Sequence, residues 1–189
     1  MGDGKPTFFF ELFAFPDRPS YNVLDFGDYM SLIALDSGHV SSIPGAQTGW
    51  LGAVLEARKE RPHLFPVYHV PAYPSHRSYN GLTSRRVREH WVPLFEEYNV
   101  RVAFENHDHT YKRTKPIRRG EVSEDGIVYL GDGAWGDVGI RSGGSREEWY
   151  IEKFVATNHA IIVTLRGDEQ EYEVVNLDGK VIDRYVDRR

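Results

Sequence analysis

The chain has 189 residues, room for one domain with a real core and too few for two comfortable ones. Hydrophobic residues make up 40% and charged residues 27%, and the net charge of −5 leaves no basic footprint for nucleic acid. The absence of cysteine excludes disulfides, thiolate metal sites and cysteine nucleophiles, and no apolar run approaches the ~20 residues a membrane helix needs.

The longest apolar candidate, around Phe8-Phe9-Phe10, is interrupted by Glu11 and Asp17. The first six residues lack the apolar stretch of a signal peptide. Residues 21–24 and 29–35 are β-rich runs separated by Gly27-Asp28, the pattern of a hairpin whose second strand is apolar enough for burial on both faces. A loop over 37–45 leads into a helical pattern over 47–61, with Trp50, Leu51, Val54 and Leu55 on one stripe and Pro62 closing it. Residues 64–68 form a strand candidate ending at His69.

After a Pro-, Ser- and Tyr-rich loop, Ser84 is placed to cap a second helix carrying Val87 and Trp91. Pro93 either kinks that helix or opens a new one, with Leu94, Phe95 and Tyr98 inward and Asn99 at its end. Residues 100–104 read as a strand running straight into Glu105-Asn106-His107-Asp108-His109. Strand, helix, strand, helix, strand is the signature of α/β crossover units. A strand over 127–130 then precedes a glycine-rich stretch over 131–136 and a polar loop over 141–148. Strands over 154–165, 171–176 and 181–185, with turns at Arg166-Gly167-Asp168 and Asp178-Gly179, make an all-β tail read as scaffold. No repeat or linker divides the chain, so residues 1–189 are read as one domain.

His107 and His109 stand two residues apart; in extended backbone both imidazoles share a face and can converge on metal. They lie just past a strand's C-terminal end, where α/β folds place ligand crevices, and so does His69 in Val67-Tyr68-His69-Val70-Pro71. One His-x-His is a weak signal among 8 histidines, but three histidines at matched strand ends point to metal.

These residues resemble a known family. Val67-Tyr68-His69-Val70-Pro71 is similar to the Gly-His-x-Pro element of calcineurin-like metallophosphoesterases, above all their purple-acid-phosphatase branch. Asn106-His107-Asp108-His109-Thr110-Tyr111-Lys112-Arg113-Thr114 resembles that branch's Gly-His-Asp-His-x-Tyr-x-Arg-Thr. Leu35-Asp36-Ser37-Gly38, Gln47 and Trp50-Leu51 match its strand–loop–helix, and Trp91, Pro93-Leu94-Phe95 and Tyr98 match a later helix. The resemblance runs in order from about Phe8 to Gly136. It implies an α/β fold, the C-terminal half of a metallophosphoesterase αββα sandwich, followed by the β-rich tail.

By the same resemblance, His69 and His107 would bind one metal and His109 the other. The complete family site holds two divalent or trivalent ions (zinc, iron or manganese) and acts on phosphate esters, and its members are often exported. His76, on the loop after His69, is the implied leaving-group acid, with His39 a weaker alternative and a solvated loop histidine the bland reading. Arg77 and Arg113 are candidates to hold phosphate oxygens or ordinary solvated arginines; His63, His90 and His159 are read as structural.

Three family elements that should precede this sequence are absent: Asp-x-His, Gly-Asp-x-x-Asp and Gly-Asn-His-Asp, or their variants. Gly27-Asp28-Tyr29 and Gly131-Asp132-Gly133 stand in the wrong order to replace them. Asn106 and Tyr68 occupy positions where the family favours glycine; Asn106 is expected to tolerate a left-handed turn and Tyr68 to crowd His69. Neutral imidazoles hold one zinc, but they cannot neutralise two close cations, so this chain alone is expected to hold one metal or none. The leading reading is a metal-dependent phosphoric ester hydrolase shown without its N-terminal ligand motifs; the alternative is a non-catalytic remnant or assembly module. A mononuclear zinc hydrolase ranks last. The apolar strand over 29–35 is expected to leave an edge or face uncovered, favouring self-association or cover by a missing N-terminal half.

Overall fold

Gly27, with φ +58°, turns the chain between β1 (Asn22–Phe26) and β2 (Met30–Leu35), which pair antiparallel as the hairpin pattern requires. The structure, a computed structural model, describes residues 20–131, 133–136, 139–142 and 147–189; Phe8-Phe9-Phe10 and Asp132 lie outside them.

From β2 the chain crosses through helix α1 (Ala46–Glu56) to β3 (His63–Tyr68), then through α2 (Leu82–His90) and α3 (Val92–Glu97) to β4 (Val102–Glu105). β5 (Tyr111–Thr114) and the small hairpin β6 (Ile117–Arg118) and β7 (Glu121–Val122) follow, then β8 (Val128–Gly131) and β9 (Ile151–Val155). One seven-stranded sheet results, in the order β1-β2-β3-β4-β8-β5-β9, with β2, β3, β4 and β8 parallel. The tail, β10 (His159–Arg166), β11 (Glu169–Asn176) and β12 (Val181–Asp187), is a separate antiparallel sheet.

Alternation along the strands decides the layers. Ile33, Leu35, Leu64, Tyr68, Ala103 and Tyr129 share one core with Leu51, Leu55, Trp91 and Phe95 of the helices. Their neighbours Leu32, Phe65, Val102, Phe104, Val128 and Leu130 pack against Ile161, Val163, Leu165, Tyr172 and Tyr185 of the tail. Helices, large sheet and small sheet are thus three layers of the expected sandwich, with the β-rich tail as a packed layer. Asp183 on β12 accepts hydrogen bonds from Tyr111 Oη (2.7 Å) and Arg113 Nε (2.8 Å), clamping the tail to β5.

Several expectations need correction. The helix expected over 47–61 ends at Glu56, beyond which the amides of Arg58 and Arg61 bond three residues back, to the carbonyls of Leu55 and Arg58, as turns; both guanidiniums reach Asp25 beside the β1–β2 turn. Ser84 lies inside α2 rather than capping it; Gly81 is the N-cap. Of the two readings of Pro93, the new helix holds, with Pro in the first turn of α3. The strand expected over 154–165 is two strands in different sheets, broken where Asn158 Nδ2 donates to the Ala134 carbonyl at 2.6 Å. The run 29–35 is not an open edge, since β1 and β3 flank it; among the described residues the edge strand on this side is β1, where Leu24 and Phe26 are exposed. No helix among the described residues is long and apolar enough to cross a membrane.

Candidate functional site

Register brings the site together. Leu35, Tyr68, Glu105 and Gly131, the last residues of four parallel strands, are aligned partner to partner. The segments that follow them therefore emerge at one height along one sheet edge, carrying Asp36–His39, His69 and His107–His109.

Each loop is held by a buried polar group. Asp36 accepts backbone hydrogen bonds from Gly38, His39, Val40 and Ser41 at 2.7–3.1 Å. Burial pushes its carboxyl up, but bonds from Ser20 and these amides prevail and hold it below the usual carboxylate range. Gln47 brackets the same residue, accepting from Asp36 N (2.8 Å) and donating to its carbonyl (2.9 Å). Ser37 Oγ accepts from Val70 N at 2.8 Å, joining the first loop to the second. The Asp108 carboxylate accepts from Ser75 N (2.7 Å) and His76 N (2.9 Å), joining the second to the third. Beneath them the buried pair Glu105–Lys112 takes hydrogen bonds from Tyr68 Oη (2.7 Å) and Ala72 N (2.6 Å).

The histidines meet on this frame. His107 Nδ1 and His69 Nε2 are 2.7 Å apart. The ring of His39 packs edge-on against His69 with centroids 5.0 Å apart, and the rings of His107 and His109 are 6.3 Å apart. The backbone here is left-handed, at φ +75° for His107 and +53° for His109. The two are therefore not neighbours along an extended strand, and the turn, rather than strand alternation, gathers them. Such strain at non-glycine residues marks functional sites. Asn106 does not supply the left-handed position; its Nδ2 instead donates to the Tyr68 carbonyl at 2.8 Å. Tyr68 does not crowd His69 either, because its ring is buried on the helix side.

Burial lowers the affinity of both His69 and His107 for protons. For His107 the charges of Arg77 and Arg141 add to that, and its pKa is pushed down to about 4. Both imidazoles are therefore neutral at physiological pH.

His76 does not join the cluster. Its backbone is pinned by Asp108 while its side chain is exposed, and among the described residues no ring contact links it to His69, His107 or His109. Arg113 is no phosphate ligand: it is half-buried against Asp183 and stacks over Tyr185. His63 donates from Nε2 to the Gly167 carbonyl at 2.9 Å, at the opposite end of the strand. Arg77, by contrast, places its guanidinium against His107 Nε2, with its Nε 3.7 Å from Asp108 Oδ1. Arg141 was not singled out in the sequence, where its polar loop shows no periodicity; its backbone N donates to the His109 carbonyl at 3.4 Å.

The residues present do not fit a pair of metal ions. Both nitrogens of His107 already have partners, and the nearby carboxylates Asp36 and Asp108 are engaged by main-chain amides. Among the described residues no three histidine, aspartate or glutamate side chains converge closely enough to hold a metal.

No family model matches the chain. Two curated proteins of Arabidopsis thaliana do. Purple acid phosphatase 18 is 29% identical over 143 residues, covering 66% of this chain and 32% of the relative. Purple acid phosphatase 21 is 34% identical over 99 residues, covering 51% of this chain and 22% of the relative. The chain thus spans a third or less of the curated relatives it matches. Among solved structures, purple acid phosphatase PPD1 of yellow lupin superposes with a TM-score of 0.72 at 16% identity, over 88% of this chain and 32% of that one. GAP50, the anchor in the inner membrane complex of Plasmodium, gives 0.68 at 15% identity, over 87% and 52%. PhoD gives 0.64 at 12% identity, over 92% and 41%.

The layered fold, with histidines gathered at one sheet edge, is the C-terminal half of a metallophosphoesterase sandwich. Within that class it is similar, over the matched residues, to purple acid phosphatases.

Proposed function

We propose that this chain carries the histidine half of a phosphoric-ester hydrolase site, and that turnover requires carboxylate ligands it does not itself bring to that edge. The observation that supports this is the meeting of His69 and His107 at the aligned ends of β3 and β4, with His109 beside them. The similarity to purple acid phosphatases supplies the reaction class. The complete family site works through a metal pair, which the residues present here do not fit by themselves. What these residues do themselves is narrower: they present neutral imidazole nitrogens and a guanidinium to an incoming phosphoryl group.

A second reading, a non-catalytic assembly module, is favoured by the guanidinium lodged on His107 Nε2. The likeness of its fold to GAP50, the anchor in the inner membrane complex of Plasmodium, lends support to this reading.

Assaying an aryl phosphate with the chain and zinc, manganese or iron separates the parts of the proposal. Binding of phenyl phosphate that is lost in His107→Ala, without turnover, is the expected result. Turnover by the chain alone would overturn the need for outside carboxylates. Failure to bind the ester under any condition would favour the assembly module.

A further inference from the structure

Arg77 is the cation this site already contains. It stands on the loop that Asp108 ties down through Ser75 and His76, and its guanidinium meets His107 Nε2. That nitrogen is the one the family resemblance would leave open to a metal, since Nδ1 faces His69. The contact uses the guanidinium poorly. A neutral imidazole offers one lone pair, whereas a phosphoryl group offers two oxygens matched to the guanidinium fork. The Arg77 Nε is buried and has no hydrogen-bond partner; its nearest anion, Asp108 Oδ1, is too far for a hydrogen bond and is itself unpartnered. Arg141 adjoins the same turn, its backbone N donating to the His109 carbonyl at 3.4 Å.

The opposing charges are committed elsewhere. All four backbone amides of residues 38–41 converge on the Asp36 carboxylate, and two amides occupy Asp108 Oδ2. A phosphoryl dianion entering here would meet the Arg77 guanidinium, the imidazoles and only one carboxylate oxygen without a hydrogen bond, with Arg141 on the adjoining segment.

We propose that Arg77, in the place of a metal at His107, and Arg141 form a phosphoryl-dianion site that binds free phosphate or a phosphate monoester without any metal ion. This rests on the phosphoester reading above and deepens it, because it assigns recognition of the phosphoryl group to two arginines rather than to metals.

The test is calorimetric titration of the whole chain with inorganic phosphate and, separately, with phenyl phosphate, each in excess EDTA and again with zinc. Binding in EDTA is expected, at least tenfold weaker in Arg77→Gln and severalfold weaker in Arg141→Gln. Arg118→Gln, in the cavity by Tyr98 and Asn99, should match the wild type. Thermal unfolding of each variant checks that it is folded. Arg77→Gln should also bind zinc more tightly than wild type, since His107 Nε2 is released. Tighter binding of the ester than of free phosphate would identify the monoester as the source of the group; equal binding would identify the dianion alone, and either supports the proposal. Binding that requires zinc and ignores Arg77→Gln would overturn the arginine site while leaving the phosphoester reading intact. No binding of either compound, with or without zinc, would overturn both.

Discussion

His107 Nδ1 and His69 Nε2 lie 2.7 Å apart across the ends of two parallel strands, one imidazole donating and the other accepting. That contact depends on the loops beneath it. Each loop hangs from a carboxylate or a glycine whose removal has a defined consequence.

Asp36 organises the first loop through four main-chain amides. Asp36→Ala should cost about 2–3 kcal/mol, the scale of hydrogen bonds to a charged acceptor. It should also release His39 from the face of His69, seen as a change in His39 imidazole shifts. Urea unfolding of variant and wild type gives the energy; an unchanged midpoint would mean that the loop is held by other contacts.

The Glu105–Lys112 pair is buried on both sides. Lys112→Met strands a carboxylate in the core and should lose about 3–5 kcal/mol. The double variant Glu105→Leu/Lys112→Met should recover part of that loss, but not all, because the amide of Ala72 then lacks its acceptor. Equal destabilisation of single and double variants would show that the charges are not coupled.

Gly133 has φ +89°, and a Cβ built there would lie 2.9 Å from the backbone N of His107. Gly133→Ala should therefore cost about 1–3 kcal/mol in backbone strain and shift the His107 amide resonance. A variant with native stability and spectrum would contradict the close approach.

His63 donates from Nε2 to the Gly167 carbonyl and accepts from Arg101 at Nδ1, 3.1 Å away. Burial, opposed by the Gly167 bond and reinforced by Arg101, holds its pKa below the ordinary histidine value. A depressed pKa means that the unfolded chain takes up the proton first, so this contribution is whole above about pH 6.5 and declines as pH falls toward the folded value. Thermal midpoints should drop between about pH 7 and pH 5, with a shallower drop in His63→Gln. A wild-type midpoint that rises on acidification would reverse the assigned sign.

Much of this was legible in the sequence for physical reasons. Short, nearly continuous apolar runs located β2, β3, β4 and β8, and histidines placed just beyond the strand ends had to share an edge once the strands were parallel. β5 escaped because Lys112, a buried cation paired with Glu105, interrupts its apolar pattern. Along the chain His76 lies closer to His69 than His39 does, which is why the sequence favours it as the acid. In space, Asp108 pins the backbone of residues 75 and 76 and leaves the His76 side chain outside, while the four amides on Asp36 turn His39 toward His69. Arg77 could be suspected from its loop; Arg141 could not, since only the folded chain brings residue 141 beside His109.

The central claim is that a phosphoryl group is recognised at the histidine edge. Backbone and imidazole nitrogen resonances of the intact chain, followed during titration with phenyl phosphate in EDTA, test it most directly. The account predicts saturable shifts confined to residues 36–41, 69–77 and 106–110. Shifts absent from those segments, or centred instead on the cavity lined by Lys59, Arg118 and Arg189 at the opposite end of the sheet, would contradict it.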